Sequence, residues 1–297
     1  MSDDVPISYM QRTRDYYLAL GYGNPYEWAQ FDDVPFTQLP KPLAECRVAI
    51  VTTAAPYQPG KGDQGPGAAY NAEAKFYSVY DGPTGQMPDL RISHVAIDRD
   101  HTTAEDIATF FPLTALHHAA SAGRIGQLAG RYFGLPTNRS QKTTLTVDAP
   151  DVLGRCRAEG VDAAIFVANC PVCHQSTALG ARVLEAAGIA TVIMGCARDI
   201  VEHVGVARLM FSDFPLGNAA GRPNDPASQA QTLSLALDLL ETASGPRCTM
   251  VSPLKWHGAP DWKQTYSNPA LLSREEIARR KAAFDQGKAT ARQLRKG

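Results

Sequence analysis

The stretch Ala163-Ala-Ile-Phe-Val-Ala-Asn-Cys170-Pro-Val-Cys-His174-Gln175 is the one from which the rest of the chain can be read. Its first six residues, Ala163 to Ala168, are apolar without alternation and stop at Asn169-Cys170, and a helical pattern follows at once. A short unbroken apolar run is what a strand buried on both faces requires, and parallel sheets bury their strands that way. Pro171 suits the first turn of a helix, where its missing N–H costs nothing. Cys170 and Cys173 are therefore expected at a helix N-terminus beyond the carboxyl end of a strand. There the aligned peptide dipoles favour a thiolate.

Outward from this stretch the pattern repeats. Ala149 to Glu159 reads as a helix stopped by Gly160, and Gln175 to Ala187 as the body of the helix after Cys170. Ile189 to Met194 is a further buried strand ending at Gly195-Cys196. Asp199 to Val204 is a short helix, Ala207 to Phe211 a strand, Asp213 to Asn218 a loop and Pro226 to Thr242 a long helix. Upstream, Cys46 to Thr53 is another buried strand. This alternation with short connections predicts an α/β fold, an open and mainly parallel sheet with helices on both faces. Right-handed crossovers would bring consecutive strand ends side by side.

Four segments are expected: an N-terminal extension over 1–45, a first α/β lobe over 46–145, a second similar lobe over 146–250 carrying the Cys-x-x-Cys, and a helical C-terminal extension over 251–297. Tyr9 to Leu20 has a helical pattern, after which Pro25, Pro35, Pro40 and Pro42 interrupt regular structure and predict a strap over the main domain. Residues 54–69 form a Gly/Pro-rich loop. Its glycines match neither the dinucleotide nor the P-loop spacing, which leaves a mobile loop over a site or an ordinary surface loop. Leu90 to Ile97 alternates like a strand, Thr103-Ala-Glu-Asp106 marks a helix start, and 112–122 reads as a helix in which His117 and His118 are expected to be structural or exposed. Ser273-Arg-Glu-Glu276 supplies a capping box for a basic final helix, expected to be solvated or packed on a partner subunit.

Composition excludes several classes. The formal net charge of −1 gives no basis for nucleic acid or an anionic membrane as the main partner. No apolar run reaches the roughly 20 residues that a membrane-spanning helix needs. The acidic, polar opening differs from a signal peptide, and six cysteines spread over 297 residues are too sparse for a secreted disulfide scaffold. A reducing cytoplasm is the expected setting.

Ligands of open α/β sheets bind beyond the carboxyl ends of the strands. Thr52-Thr53, Cys170-x-x-Cys173-His174, Cys196 and Asp213 to Asn218 all fall there. The cysteine pair has three chemical uses: attack by one thiol with resolution by the other, ligation of a metal completed by His174, His203 or Cys196, or an iron–sulfur cluster held by Cys170, Cys173 and Cys196. A purely structural role for buried thiols is the plain alternative.

The run from Cys170 through Cys173 to Glu185 and Ala187-Gly188-Ile189 resembles the active-site segment of the selenoprotein B subunits of glycine, sarcosine and betaine reductases, to which a D-proline reductase subunit is related. In that family selenocysteine stands at the position of Cys170, and a cysteine stands at that of Cys173. Val204-Gly, Phe214-Pro-Leu-Gly-Asn218, Val48 to Thr53, Phe111-Pro-Leu113 and Gly123 to Ala129 resemble further family segments, so the likeness covers roughly residues 46 to 245. It implies a two-lobed α/β fold and nucleophilic chalcogen chemistry at carbon, with an amine leaving and a small redox protein accepting the product. Cysteine in place of selenocysteine gives a weaker nucleophile and implies a sulfur-based relative with its own substrate.

Two enzyme expectations follow. Cys170 attacks a substrate carbon, expels an amine or thiol, and Cys173 resolves the intermediate reductively. Alternatively, the site hydrolyses a thiocarbonyl such as a thiohydantoin derived from ergothioneine, releasing hydrogen sulfide with Cys196 and a metal, joined by His174, holding the sulfur. Arg198 or His174 would help to lower the Cys170 pKa. Thr52, Thr53, Tyr70, Asn71, Arg198 and Asn218 are the candidate substrate contacts. An external thiol or thioredoxin-like protein is the expected reductant, and a homo-oligomer the expected assembly. A small-molecule or metal sensor on the same sheet is the non-enzymatic alternative.

Overall fold

The structure, a computed structural model, describes residues 4–24, 26–65, 68, 71–92, 94, 96–258 and 260–294. Its strands in chain order are β1 (Arg47–Thr52), β2 (Ala55–Pro56), β3 (Tyr80–Pro83), β4 (Leu90–Arg91), β5 (Gln127–Leu128), β6 (Arg131–Gly134), β7 (Ala163–Val167), β8 (Ala190–Gly195), β9 (Arg208–Phe211) and β10 (Cys248–Val251). The helices are α1 (Tyr9–Ala19), α2 (Leu113–Ser121), α3 (Gln141–Thr143), α4 (Ala149–Ala158), α5 (Pro171–Ala186), α6 (Arg198–Val204), α7 (Pro226–Thr242), α8 (Trp262–Thr265) and α9 (Arg274–Leu294).

The main sheet has the order β10-β9-β8-β7-β1-β6-β3, with β5 also paired to β1. Every pairing is parallel except that of β3 on β6. The expected open, mainly parallel α/β architecture is observed, and strands from both halves of the chain lie in this one sheet. From β1 the chain winds out to β5 and β6, crosses back to β7 on the other side of β1, and continues outward to β10. The winding direction thus reverses between β1 and β7, whose register of Val48 opposite Ala163 through Thr52 opposite Val167 brings their carboxyl ends level. Such a switch point opens a crevice.

Period-2 alternation explains why β7 has no polar face. Ile165 and Val167 join one apolar cluster with Val48, Ile50, Val192 and Met194, covered by Leu116 of α2 and Leu233, Leu237 and Leu240 of α7. Ala164 and Phe166 join the other with Ala49, Val51 and Ile193, covered by Val152 and Cys156 of α4 and Leu179 and Leu184 of α5. Both faces are buried, so both parities of the strand are apolar.

Three elements differ from expectation. Of Leu90 to Ile97, only Leu90–Arg91 is a strand, paired antiparallel with β2 outside the main sheet. Leu90, Ile92 and Ile97 are instead anchored in the apolar cluster, so their alternation marks a packed loop. The helix start at Thr103 is absent: Asp106 caps a single 3₁₀ turn, Ile107–Thr109, just ahead of Pro112. The segment 123–134, passed over as a sheet element, supplies β5 and β6.

The N-terminal residues lie along α5. The Ala29 amide donates to Gln175 (2.8 Å), and the Thr37 amide to Glu185 (2.5 Å). Arg182 and Arg208 stack on Phe31 and Phe36, 4.1 and 4.4 Å from the ring centroids. At the other terminus, α9 buries none of its residues, and its Phe284 meets the rings of Tyr17 and Tyr22. Among the described residues, no helix is long and apolar enough to cross a membrane.

Candidate active site

Cys170 is the N-cap of α5. Its backbone is extended, with φ −126° and ψ 169°, and its sulfur accepts the Cys173 amide at 3.3 Å. That position normally takes a Ser or Asp oxygen; a thiolate there gains both the amide hydrogen bond and the positive end of the helix dipole. Cys173 sits inside the first turn and is fully buried, whereas Cys170 keeps 6 % exposure. The two sulfurs form a disulfide across a Cα–Cα distance of 4.9 Å, well within bridging range. Of the two residues, Cys170 is the more exposed.

The strand ends beneath the pair are tied by side chains. Asn169 Nδ2 donates to Thr53 Oγ1 (3.1 Å), which donates in turn to the Val167 carbonyl (3.3 Å). Thr52 Oγ1 accepts the Ala54 amide (3.0 Å). All three side chains are fully buried, and Asn169 Oδ1 has no hydrogen-bond partner among the described residues.

His174 stands next to Cys173 in sequence but holds the scaffold. Its Nδ1 donates to the Cys170 carbonyl (2.8 Å), and its Nε2 accepts the amides of Cys196 (2.8 Å) and Ala197 (3.0 Å). Burial pushes its pKa down to about 4, so the ring is neutral with its tautomer set by these bonds. With both nitrogens engaged, His174 offers no lone pair to a metal and no proton to Cys170; it is a positioning residue. A Cβ on Gly195 would come within 2.9 Å of the ring, so glycine is what lets β8 end against it.

Cys196 does not complete a three-thiolate set. The group of metal-type donors that comes together among the described residues is His94, Cys170 and Cys173, with ligand atoms within 4.8 Å of one another. Burial pushes the Cys196 thiol far above the ordinary range, the nearby Asp213 carboxylate adding to the effect. A neutral, packed thiol is the result.

His94 is the residue that sequence reasoning missed. It lies in the loop after β4, half-buried, with a fully shielded Nδ1 that has no hydrogen-bond partner among the described residues. Burial lowers its pKa to about 3, the cationic Lys75 and Arg99 lower it further, and a hydrogen bond to the Thr53 backbone opposes them. Arg99 also donates to the His94 carbonyl (2.5 Å). The only signal in the sequence was a histidine within an apolar run.

The remaining candidates lie elsewhere. Asn71 holds the glycine-rich loop, donating to the carbonyls of Lys61 (2.5 Å) and Asp63 (3.1 Å) and accepting the Glu73 amide (3.0 Å). Asn218 is fully buried, donating to the Pro215 carbonyl (3.0 Å) and accepting from Thr102 (3.3 Å). Arg198 is engaged by Glu202 at 2.8 Å in the first turn of α6. His117 bonds the Thr84 carbonyl (2.8 Å), and His203 sits in the last turn of α6. Tyr70 lies outside the described residues.

Fold and site together define a doubly wound α/β protein with a Cys-x-x-Cys pair at its switch point. The chain is 29% identical over 196 residues to the gamma subunit of D-proline reductase from Acetoanaerobium sticklandii, a match covering 65% of this chain and 78% of that subunit. It is 24% identical over 230 residues to the gamma subunits of glycine reductase complex component B from Symbiobacterium thermophilum and Peptoclostridium acidaminophilum. Those matches take in 74% of this chain and 52% and 51% of the subunits, so the chain spans about half their length. No family model and no solved structure matches. The resemblance carried by the cysteine segment is thus borne out by subunits of reductases.

Proposed function

We propose that this chain is a cysteine-dependent enzyme of reductase type, cleaving a C–N or C–S bond of a small nitrogen-containing substrate. The observation that carries this reading is the asymmetric pair: Cys170 N-capping α5 with a small residual exposure, Cys173 fully buried within disulfide distance of it. The Cys170 thiolate attacks the substrate carbon, an S–C bond forms, and the amine or thiol leaves with a proton. The Cys173 thiolate then attacks the Cys170 sulfur. The S–S bond forms, the S–C bond breaks, and the electron pair stays on carbon, which takes a proton. Two electrons pass from the dithiol to the substrate, and an external dithiol, such as a thioredoxin-like protein, restores the pair. Expulsion of carbon as a carbanion calls for a neighbouring carbonyl or carboxyl group, so the substrate class is α-amino or α-thio carbonyl compounds.

The test is turnover of a panel of betaines, cyclic imino acids and thioamides with dithiothreitol, scored for amine, sulfide and thiol consumed. One dithiol oxidised per bond broken, abolished by Cys170→Ser, is expected. Sulfide released without consumption of dithiol would replace reduction with hydrolysis of a thiocarbonyl.

A further inference from the structure

We propose that the reduced Cys170 and Cys173 thiolates and the Nδ1 of His94 form a binding site for one thiophilic divalent ion of the zinc type. Their donor atoms lie within 4.8 Å of one another. Tetrahedral zinc, with Zn–S of about 2.3 Å and Zn–N of about 2.0 Å, needs ligand atoms about 3.5–3.8 Å apart. Reduction of the disulfide frees both sulfurs, and the separation of up to 4.8 Å exceeds that spacing by only about 1 Å.

A second observation points to a ligand independently. His94 Nδ1 is shielded from solvent and has no hydrogen-bond partner among the described residues, which is costly for a polar atom unless something occupies it. The same ring brings one of its nitrogens into the group formed with the two sulfurs. One imidazole and two thiolates are a donor set suited to zinc and unsuited to magnesium or calcium. Among the described residues no fourth protein ligand joins the group, so a coordination position stays open.

The balance involves no electrons: two thiols release two protons as they bind one Zn²⁺. A disulfide has no thiolate to offer, so ion binding and the Cys170–Cys173 bridge exclude each other. The ion would hold the pair reduced and shield it from oxidation. The site shares both cysteines with the reaction proposed above, but a metal titration reads it without substrate, so failure of the one is distinguishable from failure of the other.

The full chain, reduced and freed of metal, is titrated with zinc chloride against a chromophoric chelator, and with Co²⁺ to follow thiolate-to-metal charge transfer. One equivalent bound, with two protons released and all binding lost on disulfide formation, is expected. Loss of groups that merely orient a metal ligand costs 10–100-fold in affinity, so His94→Ala should weaken binding by about 100-fold or more. The same titration on wild-type protein labelled at histidine nitrogen keeps the test open should that variant not fold: ¹¹³Cd coupling to one imidazole nitrogen is expected. Absence of stoichiometric binding, wild-type affinity in His94→Ala, or cadmium without histidine coupling would overturn the site.

Discussion

The Cys173 amide donates to the Cys170 sulfur at 3.3 Å, so in the proposed mechanism the residue that resolves the intermediate would also stabilise the attacking thiolate. This bond is backbone to side chain and survives any substitution at position 173 that keeps the helix. Cys173→Ser therefore separates the two roles. Cys170 should keep its reactivity while multiple turnover is lost, and mass spectrometry with an active substrate should find the substrate carbon on Cys170.

His174 ties the start of α5 to the end of β8 through one buried ring. His174→Ala leaves the amides of Cys196 and Ala197 and the Cys170 carbonyl without partners, at a cost of about 3 kcal/mol or more. Urea denaturation measures it.

The same ring makes a pH signature. Its folded pKa of about 4 lies below the unfolded value of about 6.5, so between these values the unfolded chain binds the extra proton. Stability from this group is full above pH 6.5 and is lost as pH falls towards 4, by about 2 kcal/mol between pH 7 and pH 5. Buried carboxyls with raised pKa values, such as Asp98 and Asp199, shift in the opposite sense, so the comparison is with His174→Gln. The wild type should lose about 2 kcal/mol more than that variant over the interval.

Gly195→Ala puts a methyl within 2.9 Å of the His174 ring at the end of a buried strand. Overpacking of this kind costs about 1–3 kcal/mol, and it should also weaken activity because the ring holds the Cys170 carbonyl. Thermal unfolding and turnover, measured on the same preparation, should fall together.

Arg208 and Glu185 form a buried ion pair at 2.9 Å, in which Arg208 also donates to the Thr37 carbonyl (2.8 Å) and Glu185 accepts the Thr191 amide (2.6 Å). Burial raises the Glu185 pKa, and Arg208 opposes that shift. Glu185→Gln leaves a buried guanidinium without its counter-charge and should cost about 3–5 kcal/mol. Because the pair also holds Thr37, limited proteolysis should cut the N-terminal segment around residues 22–42 faster in the variant.

Strand β7, helix α5 and the placement of Cys170 were legible because each rests on local chemistry: an unbroken apolar run, a proline in the first turn, a capping side chain. The role of His174 was not, because a sequence shows a histidine beside a cysteine but not the two amides of the next strand that claim its ring. Cys196 was expected beside Cys170 because their strands are neighbours. Its side chain is packed among apolar residues instead, and His94 arrives beside the sulfurs on a loop that alternation mimics as a strand. Arg208 and Glu185 escaped notice because a buried pair is made by strand order, which no local pattern encodes.

The central claim is that Cys170 is the activated thiol. The direct measurement is the pH dependence of iodoacetamide alkylation at each cysteine of the reduced, chelator-treated protein, read by peptide mass spectrometry. Cys170 should react first, with a midpoint below the ordinary cysteine value of about 8.5. Preferential labelling of Cys173, or a Cys170 midpoint at or above that value, would contradict the account.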